Sequence, residues 1–138
     1  MADLSLPVGV FSLDHVTLVV ASLERSRHFY VDILGMTQVE RPQFRFPGMW
    51  FQLGNQQVHL IEQHERSAAA GFPAPPANAT PGGTFHFAFE VADCKAAMAA
   101  MLAAGVTLRG GPSLRPDGCV QSFWFDPDGH VVEVFSRG

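Results

Sequence analysis

Four side chains in this sequence could hold a divalent cation: His15 in DHVTLVV, His59 in QQVHLIE, His86 in FHFAFEV and Glu133 in GHVVEVF. Each lies in or beside an apolar strand-like stretch, where an unpartnered polar group is costly. His15 and His86 are 71 residues apart, and His59 and Glu133 are 74 apart. Such spacing points to an internal repeat, which would bring equivalent positions around a pseudo-twofold axis. A lone histidine on a strand is more often structural than a ligand, but four candidates at matched places favour a metal site. Glu133 is the strongest single candidate, because an acidic residue within VVEVF has little reason to be buried unless it is paired or coordinated.

The elements that would position these residues read as two copies of one unit. In the first, LDHVTLVV is a strand and Ser22 is a helix N-cap with Glu24 in the first turn. Leu23, Tyr30, Ile33 and Leu34 form a helical stripe ending at Gly35, followed by the strands MTQVER, MWFQLG and QVHLIEQ. In the second, TFHFAFEV leads to the N-cap Asp93. A stripe of Cys94, Ala97, Met98, Met101 and Leu102 ends at Gly105, and VTLRG, SFWFD and HVVEVFS follow. At the 74-residue offset Trp50 falls on Trp124 and Phe51 on Phe125. The expected fold is α+β, built from two βαβββ modules. Module one runs over about 11–64, a Pro-rich crossover over 65–83 and module two over 84–137, within one domain spanning 1–138. The crossover's length suggests a lid.

Composition narrows the partners. A net charge of −4 argues against a nucleic-acid backbone binder, and no apolar run approaches a membrane span. Two cysteines, Cys94 and Cys119, and the lack of a secretion-type N-terminus suit a reducing cytoplasm. Cys94 reads as a small packing residue. His28, His64 and His130 read as structural or solvated, and Asp126, Asp128 and Gly129 as makers of a tight turn. Trp50 and Trp124 read first as packing residues. Arg45, Arg109 and Arg115 are possible contacts for a carboxylate or phosphonate.

DHVTLVV, FYVDILGM, HLIE, FHFAFEV and above all FDPDGHVVEV resemble the vicinal oxygen chelate superfamily, the glyoxalase/bleomycin resistance/dioxygenase fold, over about Leu13 to Arg137. The resemblance implies that the two modules form a cupped mixed sheet with helices on the outside, and that a divalent metal (Fe, Mn, Co, Ni or Zn) is held by His15, His59, His86 and Glu133. It also implies Glu133 as proton shuttle, a site lined by Thr17, Trp50, Phe123 and Arg115, and a homodimer that often completes the site from both chains. The implied activity is a lyase or isomerase of glyoxalase-like type, acting on a small substrate that chelates through vicinal oxygens. The alternatives are an Fe(II) extradiol ring-cleaving dioxygenase and a non-catalytic small-molecule binding or resistance protein. The glyoxalase I pattern has a glutamate where this chain has His59, and Phe123 stands where fosfomycin resistance enzymes carry an aromatic hydroxyl.

Overall fold

Hydrophobic alternation and cap chemistry place the strands and helices where the repeat predicts them. A computed structural model describes residues 5–138. Module one comprises β1 (His15–Val20), α1 (Leu23–Arg27), β2 (Thr37–Val39), β3 (Gly48–Leu53) and β4 (Gln56–Glu62). Module two comprises β5 (Phe87–Glu90), α2 (Cys94–Ala103), β6 (Thr107–Leu114), β7 (Val120–Phe125) and β8 (Val131–Ser136). The strands form two four-stranded mixed sheets, ordered β1-β4-β3-β2 and β5-β8-β7-β6. The parallel pairs are β1 with β4 and β5 with β8, so β1 and β5 are open edges.

Both predicted caps form. Ser22 Oγ accepts from Arg25 N at 3.2 Å, and Asp93 Oδ1 accepts from Ala96 N at 3.2 Å. Gly35 and Gly105 end the helices at φ +85° and +80°, a left-handed backbone that a side chain would strain. The first helix departs from a simple 3.6-residue stripe: it continues from α1 as a π-helical turn over His28–Ile33, in which Leu34 N donates to Phe29 O. This wider turn buries Phe29 and Tyr30 side by side. In α2 the buried residues are Cys94, Met98 and Met101, whereas Leu102 is 53% exposed and leaves the expected stripe. Strand β5 is shorter than TFHFAFEV suggests, and His86 lies just before it.

One apolar cluster, including Leu18, Val20, Phe51 and Leu60 of module one and Trp124, Val132 and Val134 of module two, joins the halves. A polar seam runs beside it. Tyr30 Oη donates to Asp126 Oδ2 at 2.7 Å, Ala21 N to Asp128 Oδ1 at 3.0 Å, and Arg25 Nη2 to Pro127 O at 3.1 Å. The DPDGH turn is built as its sequence implies, with Asp126 Oδ1 accepting from the backbone N–H of both Asp128 and His130. His130 is buried and its Nδ1 sits 2.7 Å from Asp126 Oδ2, a structural role. Among the described residues no helix is long and apolar enough to cross a membrane.

Candidate functional site

Strand register decides which side chains share a face. In module one Trp50 and Thr17 both pair with His59, and His15 lies two residues from Thr17, so all four occupy one face of the sheet. In module two Ala88 and Phe123 pair with Glu133, so the matching face carries Glu133, Phe123 and, beyond the end of β5, His86. This corrects the 74-residue alignment of the tryptophans. Trp50 corresponds to Phe123, and the fully buried Phe51 to the fully buried Trp124, whose indole N–H donates to Ser122 Oγ at 2.8 Å. The cause is loop length. Two residues join β3 to β4, whereas five join β7 to β8, so the offset changes between strands.

The four candidate ligands form two pairs. In the first, the rings of His15 and His59 stack at 3.9 Å, 16° from parallel, and Trp50 stacks on the other side of His59 at 4.0 Å. His15 Nδ1 is 2.8 Å from Asp14 Oδ2, which fixes Nδ1 as donor and leaves Nε2 its lone pair. His59 is 8% exposed and its Nε2 donates to Gln57 Oε1 at 2.6 Å. Burial first, then the neighbouring His15 and Arg41, push its pKa below the ordinary histidine value, with Asp14 opposing.

In the second pair, His86 Nδ1 donates to Thr84 O at 2.8 Å and Nε2 lies 3.1 Å from Glu133 Oε1. Nε2 and Oε1 thus lie side by side, and with their lone pairs free they make a two-point donor set. Phe123 meets the His86 ring edge-on at 5.3 Å. Glu133 is 6% exposed and is paired, as a buried carboxylate must be. Its Oε2 accepts from Arg115 Nη1 at 3.3 Å, and Arg115 also donates to Asp117 at 2.7 Å.

His15 and His86 both reach an open cleft of about 1010 Å³ between the β1 and β5 edges, whereas His59 and Glu133 do not line it. Among the described residues no three His, Cys, Asp or Glu side chains are placed to hold one ion together. The donor chemistry of each pair suits a borderline divalent cation. A resident ion takes about four protein ligands in a closed site and about three in an open one, so one chain by itself does not fit it.

The remaining candidates fall on either side of this division. Thr17 is exposed on β1 beside His59. Arg109 donates to Thr80 O and Pro81 O, pinning the end of the crossover rather than facing a ligand. Gly82 lies over Phe123, where a Cβ would come within 2.9 Å of the ring. Arg41 was not among the sequence candidates. Its guanidinium lies over the rings of Phe44 and Phe46, and the only signal for it was an arginine within RPQFRF.

A model of the glyoxalase/bleomycin resistance protein/dioxygenase superfamily matches residues 12–134. The chain belongs to that superfamily. Solved structures with the same fold include lactoylglutathione lyase from Agrobacterium tumefaciens, at 24% identity and TM-score 0.66, covering 91% of this chain and 92% of that one. The fosfomycin resistance protein FosX of Listeria monocytogenes matches at 16% identity and TM-score 0.70, over 91% and 90% of the two chains. An integron cassette protein of V. cholerae matches at 24% identity and TM-score 0.67, over 94% and 97%.

Proposed function

We propose that this chain is a divalent-metal-dependent enzyme of glyoxalase-like, lyase or isomerase type, acting on a small substrate that chelates through neighbouring oxygens. In this reading the cation is held by His15 and His59 of one copy together with His86 and Glu133 of a second copy. The observation that carries it is the division of the quartet into two preformed pairs at equivalent places of the two modules, next to open strand edges. The segment leading into β1 agrees, since Leu6, Val8, Val10, Phe11 and Leu13 are exposed, and so is Phe85 ahead of β5. A twofold dimer that sets β1 of one chain against β5 of the other would cover these residues and close two equivalent sites.

A bound cation would supply Lewis acidity to a developing enolate or alkoxide. The chain's own residues do the rest. Glu133 would take up and return the substrate's proton at its carboxylate, whereas His86, whose Nδ1 donates to Thr84 O, would keep the Nε2 lone pair for the cation. Arg115 holds Oε2 and so fixes the carboxylate's orientation. Trp50, Thr17 and Phe123 wall the substrate's space.

Elemental analysis of untagged protein tests this. The expected result is close to one ion per chain, with Glu133→Ala losing both the ion and turnover; an ion kept at full stoichiometry by the variant would overturn the reading. The pairing of Glu133 with His86 and Arg115 inside one chain favours a second reading, a non-catalytic small-molecule binder. That reading expects no ion, and a dioxygenase would instead consume oxygen with catechols after anaerobic Fe(II) loading.

A further inference from the structure

The side of the module-one sheet that bears His59 and Trp50 carries a cation with no anion. Arg41 follows β2, and its guanidinium stands 4.6 Å from the Phe44 ring and 5.1 Å from the Phe46 ring. Arg41 Nη1 donates to Phe46 O at 3.1 Å. Its Nε is buried and has no hydrogen-bond acceptor, and among the described residues Arg41 forms no ion pair. Burial disfavours its charge. A buried donor left unmade is costly, and each such group in a native fold needs a reason.

The surroundings are built for this side chain. Gly48 lies beneath the guanidinium, and a Cβ there would stand 2.7 Å from Arg41 Cζ and 2.3 Å from Leu60 O. The close approach of Leu60 O already requires glycine here, and the guanidinium occupies the space that its missing side chain leaves. From Arg41 a row of rings leads to the candidate ligands: Phe44 meets Trp50 at 6.3 Å, Trp50 stacks on His59 at 4.0 Å, and His59 on His15 at 3.9 Å. Gly48 and Trp50 are two residues apart on β3, about 7 Å along the strand. The guanidinium therefore sits within one small molecule's length of His59.

We propose that Arg41 binds an oxyanion, a carboxylate or phosphonate, of the substrate whose flat apolar body lies along Phe44 and Trp50. This deepens the function proposed above by naming a substrate class, small aromatic or apolar oxyanions. A planar guanidinium with no ion-pair partner suits such a group because it can donate two parallel hydrogen bonds.

The test is a titration of the full-length, chelator-treated protein with phenylphosphonate, following Trp50 emission, with neutral benzamide as control. Trp124 is fully buried and serves as a constant background. Wild type is expected to bind phenylphosphonate, and Arg41→Met to bind it at least about tenfold more weakly, as loss of hydrogen bonds to a charged group implies. Arg41→Lys, which keeps the charge without the fork, is expected to recover only part of the loss, with benzamide unaffected throughout. Far-ultraviolet circular dichroism confirms that the variants fold. Equal phenylphosphonate affinity in wild type and Arg41→Met, or none in wild type, overturns the inference. So does a change of oligomeric state in Arg41→Met without a change in binding, which would give Arg41's anion to another chain. Because the titration is metal-free, Arg41-dependent binding survives failure of the metal reading, and metal bound without it fails this inference alone.

Discussion

Tyr30→Phe removes one hydroxyl from the seam between the modules and leaves the ring in place. Tyr30 is fully buried, and its Oη donates at 2.7 Å to Asp126 Oδ2 in the turn between β7 and β8. Burial first, then the Asp126 charge, hold the phenol's pKa well above its ordinary value, so it stays a donor through the neutral and alkaline range. A hydrogen bond to a charged group contributes about 1.5–3 kcal/mol. Asp126 keeps His130 Nδ1 on Oδ2 and two backbone amides on Oδ1, which favours the lower part of that range. The expected loss is about 2 kcal/mol, or about 6–8 °C in Tm for a chain of this size. Urea denaturation followed by circular dichroism reads it as a lower midpoint at an unchanged slope. A loss below about 0.5 kcal/mol would refute the view that this bond secures the turn to the first helix.

Two further outcomes follow from the site's electrostatics. The lowered pKa of His59 means the folded chain binds that proton less readily than the unfolded chain, so its contribution is intact above about pH 6.5 and lost as pH falls below it. His59→Gln should lessen the drop in urea stability between about pH 7.5 and 5.5; an equal drop in both proteins would contradict the assignment. Arg115 donates to Glu133 Oε2, so Arg115→Met should loosen the carboxylate and lower both metal content and turnover while leaving the fold intact by circular dichroism. Unchanged metal content and turnover in that variant would contradict the role of Arg115 in holding Glu133.

The caps, the glycine stops and the DPDGH turn were legible because each rests on local chemistry that the residue type itself specifies. The tryptophan alignment was not, because register depends on turn length and the two hairpins differ. The π-helical turn and the exposure of Leu102 escaped the helical stripe for a related reason: tertiary packing chose which residues faced inward. Repeat symmetry identified the four candidate ligands but could not tell which pairs would meet. Equivalence under a pseudo-twofold axis is satisfied equally by modules of one chain and by modules of two. Arg41 was hidden because its interest lies in what it lacks, an acceptor, and only coordinates show that.

The most direct test mixes two inactive chains, one carrying His15→Ala and His59→Ala, the other Glu133→Ala, co-refolded or co-expressed in equal amounts. Each alone should hold no metal. The mixed dimer pairs an intact first module with an intact second one at one of its two sites, so random association should restore about one quarter of the wild-type metal content and activity. A mixture as empty as its components, under conditions where wild type refolds with its metal, would contradict a site shared between chains.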